Sequence, residues 1–195
     1  MTIMGIRRAA GLGRRLARDR RGAIIVELAY ALPVFTLLVL GCVELSRYVL
    51  LHQKLQRTTV TVADLMTRHA SWTEDEITDM FFAVSHVATP FDMATRGIVI
   101  LSGLTTDSDG DVIVAWQRSG AGGLAAASEI GSAGQQISPP DGLVINDGEV
   151  VVVAEVKYDF DPLLVPMLDS EEPLYNRVFF RPRRGGLDTL GGGGG

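Results

Sequence analysis

Arg20-Arg21-Gly22-Ala23-Ile24-Ile25-Val26-Glu27 opens the stretch that decides how this chain is read. A basic cluster meets a glycine, an apolar run begins at once, and one carboxylate sits five places past that glycine. From Ala23 to Val43 the only formal charge is Glu27, and from Leu28 to Val43 there is none. A helix of that length spans roughly 30 Å, which matches a bilayer core. Pro33 and Gly41 are tolerable inside such a helix. A carboxylate there costs about 2.5–3.5 kcal/mol on insertion scales, which makes Glu27 a functional candidate whose partner should be named. The natural partner is a free α-amino group, which a cut after Gly22 would create at Ala23.

Charge is distributed unevenly around this run. Residues 1–22 carry seven arginines against Asp19, a net +6; the whole chain of 195 residues carries −5, so the remainder carries −11. Arg47, Lys54 and Arg57 follow the run, with Glu44 among them. The positive-inside bias places the N-terminus in the cytoplasm and the body outside. An acidic body is not the footprint of a nucleic-acid binder. The chain therefore divides into a basic cytoplasmic leader (1–22), a transmembrane and extended N-terminal helix (23–70), an extracytoplasmic head (71–184) and a flexible glycine-rich tail (185–195).

Three kinds of processing compete. A conventional signal peptide needs a small-x-small site after the apolar run, and no good one is present. A lipoprotein signal would end at Val39-Leu40-Gly41-Cys42, but Leu40 is bulky for that role, and Glu27 and Pro33 are odd within such a signal. Cleavage before the run, at Gly22–Ala23, would keep the helix. Cys42 is the only cysteine, so no intrachain disulfide forms.

Arg21-Gly22-Ala23-Ile24-Ile25-Val26-Glu27-Leu28, then Leu32-Pro33 and Gly41-Cys42-Val43-Glu44, resembles the TadE family of pilin-like proteins. The ending Val178-Phe179-Phe180-Arg181-Pro182-Arg183 is similar to that family's closing strand. The likeness is close over residues 20–50 and diffuse over 97–184. It implies a minor pilin or pseudopilin of a tight-adherence (Tad, Flp-type) adhesive pilus, anchored in the bacterial inner membrane with a periplasmic head. It also implies a pilus or cell-surface location after assembly. The implied partners are a prepilin peptidase cutting between Gly22 and Ala23, other pilin or pseudopilin subunits, and the Tad assembly machinery. In the major Flp pilins a tyrosine directly follows the glutamate; here Leu28 does, and Tyr30 comes later, which argues against the major subunit.

A new α-amine has an ordinary pKa near about 8, so it is mostly cationic at neutral pH. Glu27 lies about 6 Å further along the helix axis than Ala23. In a staggered bundle one subunit's Glu27 would meet a neighbour's Ala23 amine, and the pair would set the register between subunits. The competing reading leaves Glu27 near the headgroups, one turn inside the boundary, snorkelling out.

Leu45, Tyr48, Val49, Leu55, Val62, Leu65 and Met66 recur at three- and four-residue steps, so the helix is expected to run from about 23 to about 68. His52 and Thr59 interrupt the stripe, and the β-branched run at 58–62 is a place for fraying or bending. Thr73 and Glu76 have capping-box spacing and open a second helix with Ile77, Met80, Phe81, Val84 and Ala88 on one face, ended by Pro90. That face packs on a sheet or, alternatively, docks a partner.

Four strands are expected. Gly97–Leu104 joins Val112, Val114 and Trp116, read as one alternating face, through a hairpin turn at Asp107–Gly110. The stretch 149–160 alternates Val150, Val152, Ala154, Val156, Tyr158 and Phe160 with Val151, Val153, Glu155, Lys157 and Asp159. A last strand covers about 174–181. Short connections favour antiparallel pairing, so the fold is α+β: a long N-terminal transmembrane helix followed by a small head with a short helix and a mainly antiparallel sheet. Residues 119–142, rich in Gly, Ala and Ser, read as a long exposed loop.

Catalytic and metal signals are weak. Asp107, Asp109 and Asp111 lack EF-hand spacing and suit a turn better than an ion site. His52, His69 and His86 are far apart, with no zinc or triad spacing. Trp72 and Trp116 read as core or interface residues. No enzyme and no cofactor is expected. The leading function is support of pilus assembly; the alternative is an uncleaved single-pass periplasmic binding module, or a lipoprotein, outside any filament.

Overall fold

A computed structural model of the chain describes residues 21–69, 71–139, 142–163, 172–182, 187 and 190. The basic leader up to residue 20 and the closing glycines lie outside the described residues. The chain divides into two compact units, with the boundary between Leu45 and Ser46. Helix α1, Arg21–Met66, runs unbroken through both, including Pro33 and the β-branched stretch at 58–62.

In the first unit every residue from Gly22 to Val39 is exposed. The apolar window is long and apolar enough to cross a membrane, and none of it is buried within the chain. Thr36 donates its hydroxyl to the Leu32 carbonyl at 2.8 Å, so the run carries no idle hydroxyl there.

In the second unit α1 contributes a stripe of Leu51, Leu55, Thr58, Thr59, Val62, Ala63 and Met66, all buried. The expected stripe is partly corrected: Leu45 and Val49 are exposed, and Thr59 lies on the buried face. Thr59 fits there because its hydroxyl is spent on the Leu55 carbonyl at 2.7 Å. The helix stops where the Trp72 indole donates to the Met66 carbonyl at 3.0 Å. Helix α2, Glu74–Ser85, starts with the expected capping box: the Thr73 hydroxyl accepts from Glu76 N, and the Glu76 carboxylate accepts from Thr73 N at 2.8 Å. A further short helix, α3 (Met93–Arg96), is capped by Asp92.

The strands are β1 Gly97–Thr106, β2 Val112–Gly120, β3 Val151–Tyr158 and β4 Leu174–Phe180. They form one sheet in the order β2-β1-β3-β4, antiparallel throughout. The α+β architecture is as expected. The inner sheet face, carrying Val99, Leu101, Val152, Ala154 and Val156, shares a core with the α1 stripe and with Ile77, Met80, Phe81 and Val84 of α2.

The reading of β2 needs correction. Pairing with β1 shifts between Gly103 and Leu104, where Gly103 faces Trp116 and Leu104 faces Val114. Ala115 is therefore an extra residue. Val112 and Val114 join the outer cluster, while Trp116 joins the inner core. A one-residue bulge flips the side-chain period, which a strict alternation cannot anticipate.

Candidate functional site

The residues singled out for processing and assembly lie together at the start of α1. Gly22 and Ala23 occupy its first turn, and Glu27 follows one turn later; all three are exposed. Ala23 and Glu27 are four residues apart and so share a helix face. Glu27's neighbours on that surface are Ala23, Ile24, Tyr30 and Ala31, none of them a lysine, arginine or histidine. Among the described residues a Cβ added at Gly22 would meet nothing within 4 Å, so their packing does not require glycine there. Glu44, which closes the apolar run, is fully buried.

The head carries a second polar constellation, on the outer sheet face, which the sequence analysis did not single out. Glu155 is fully buried. One of its oxygens accepts from Glu129 N at 2.9 Å and from the Tyr175 hydroxyl at 2.8 Å; the other accepts from the Ser128 hydroxyl. Lys157, also buried, pairs with Glu129 and lies over the Tyr175 ring. The hydrogen bond from Lys157 holds the Glu129 carboxyl below its ordinary range. Burial, and next the hydrogen bond to Glu155, push the Tyr175 phenol upward, which keeps it a neutral donor. Chemically the cluster is a clasp: each carboxylate oxygen of Glu155 already holds a donor, and two of those donors come from the connection after β2.

That connection is the long, largely exposed loop expected, but it is not detached from the sheet. Residues 121–139 lie against the outer face through Ile130 and Ile137, which pack with Leu104, Val112, Val114, Val151 and Val153. Gly134 N donates to the Val114 carbonyl at 2.7 Å, and Ile137 N to the Val112 carbonyl at 2.8 Å.

A cleft of about 640 Å³ opens beside α2, lined by Phe81, Phe82, His86, Phe91, Met93 and Gly120 among others. Phe82 stands in it 71% exposed. The histidines stay apart: His52 meets the Tyr48 carbonyl, His69 meets the Trp72 ring edge-on, and His86 meets the Phe82 carbonyl. Asp107 accepts from Asp109 N and Asp111 N, which makes that acidic stretch a turn. Among the described residues no group of three or more His, Cys, Asp or Glu side chains is placed to hold a metal ion.

The helix with Glu27 is also where likeness to known proteins falls. Residues 22–64 match the TadE-like protein family. The matched stretch contains Gly22, Ala23 and Glu27 and ends two residues before α1 does. No curated protein and no solved structure matches the chain. The TadE-like match suggests a component associated with the Tad pilus, and the apolar helix is one that could anchor it in a membrane. The head lies beyond the matched residues, so its sheet, clasp and cleft are read from the chain itself.

Proposed function

We propose that the chain is a minor pilin or pseudopilin that supports assembly of a Tad-type adhesive pilus without catalysing a reaction and without a cofactor. The observation that carries this reading is Glu27, the one carboxylate of the exposed apolar stretch from Gly22 to Val39, within the TadE-like segment. The leader stays in the cytoplasm, α1 crosses the inner membrane and the head lies in the periplasm. A prepilin peptidase cuts between Gly22 and Ala23. The open space around Gly22 among the described residues supports this, since recognition by an outside partner then accounts for a glycine that their packing does not demand.

The new Ala23 amine is cationic at neutral pH. Placed against Glu27 of an adjacent subunit, it neutralises a charge that lipid tolerates poorly, and a one-to-one pair fixes the stagger of the two helices. The remaining exposed apolar residues, such as Leu28, Phe35 and Leu38, then find lipid or neighbouring helices. Replacing Glu27 by Ala should leave membrane insertion intact and abolish or strongly reduce piliation. Normal piliation by that variant would overturn the pairing. A second reading, a tethered binding module, is favoured by the apolar cleft around Phe82; it predicts an uncut leader and indifference to Glu27.

A further inference from the structure

The connection after β2 is built unlike the sheet it covers. Of residues 121–139, all described, only Ile130 is buried, whereas every residue of β3 beneath is buried. The segment gains little from apolar contact, and its attachment is mainly polar. At one end Ala121 holds a left-handed backbone (φ 63°), followed by Gly122 and Gly123. At the other, Gly134 and Ile137 borrow the edge of β2. Between them, Gln117 donates to the Gly131 carbonyl at 2.8 Å, and Glu155 receives Ser128 and Glu129 N.

We propose that residues 121–139 form a strap that opens as a unit while the sheet stays folded, and that Glu155 is its latch. Closed, the strap covers outer-face residues such as Leu104, Val114 and Val153. Opening takes away two of the three donors that the described residues give Glu155, and admits water to it. The sheet is left intact, because its own ladders do not involve the strap. Tyr175 ties the same carboxylate to β4, so the latch couples the strap to that edge strand. The strap thereby holds an apolar sheet face in reserve within the head.

Amide hydrogen exchange of the full chain in detergent micelles tests this. In the wild type the strap amides of Glu129, Gly134 and Ile137 should exchange at least about tenfold faster than those of β1 and β3. Ser128→Ala removes one charge-assisted bond and should speed strap exchange by a further factor of about ten, with β1 and β3 unchanged. Glu155→Gln should speed it more than Ser128→Ala and also loosen β4; a smaller effect removes Glu155 from the role of latch. If Glu155→Gln unfolds the head, the other two comparisons still decide. Strap amides that exchange in step with β1 and β3, or that ignore Ser128→Ala, would overturn the proposal.

Discussion

The indole of Trp116 occupies the space that a side chain at Gly103 would need. A Cβ at Gly103 would stand 2.2 Å from Nε1 of Trp116. The two residues face each other across β1 and β2, beside the bulge at Ala115, and the indole donates to the Leu187 carbonyl at 2.6 Å. Gly103→Ala must therefore displace the ring and break that bond. A loss of about 1–3 kcal/mol is expected, read from the urea midpoint of the full chain in detergent. Near-UV dichroism should change as the indole shifts.

The α1 stripe predicts a contrast between neighbouring residues. Leu51 is fully buried and Val49 is 46% exposed. Leu51→Ala should cost about 2–5 kcal/mol of head stability, and Val49→Ala should stay within about 0.5 kcal/mol. Thermal unfolding in detergent separates them. Equal effects would mean that the helix presents a different face to the sheet.

The cap of α2 gives a third expectation. Thr73→Ala removes the hydroxyl that accepts from Glu76 N, and should cost about 1 kcal/mol at neutral pH. Hydrogen bonds from Thr73 hold the Glu76 carboxyl below its ordinary range. Its contribution is therefore present above the ordinary carboxyl pKa and is lost as pH falls through the lowered one. The difference between wild type and variant should shrink in acid.

Acid should also weaken two ion pairs of the head. Arg118 lowers the Glu74 pKa chiefly by hydrogen bonding, and Lys157 does the same to Glu129. Folded values below the unfolded ones mean stabilisation that is complete at neutral pH and falls away as pH drops through the lowered values. Urea midpoints taken from about pH 6 to about pH 3 should fall less steeply for Arg118→Gln than for the wild type. An equal slope would show that the Glu74 pair contributes nothing.

Much of the fold is legible in the sequence because its signals are local. The Thr73–Glu76 spacing gives the start of α2, and the apolar run from Ala23 gives α1. The β-branched strands and the Asp107–Gly110 turn give the hairpin. What escapes depends on contacts between distant residues. The bulge at Ala115 is set by the fit of Trp116 over Gly103, and no pattern within β2 announces it. Alternation puts Glu155 and Lys157 on one face of β3 but cannot show that residues 128 and 129 return to cover them. Thr59 looks like a break in the helical stripe until its hydroxyl is seen bonded to its own helix. Glu27 stands out because a charge in an apolar run is conspicuous without any structure; its partner is not legible, because the proposed partner belongs to another molecule.

The most direct measurement is the mass of the N-terminal peptide of the protein purified from membranes or pili of its own cell. The account predicts a chain that begins at Ala23 with a free amine. A chain that keeps the arginine-rich leader, with Gly22 and Ala23 still joined, would contradict it.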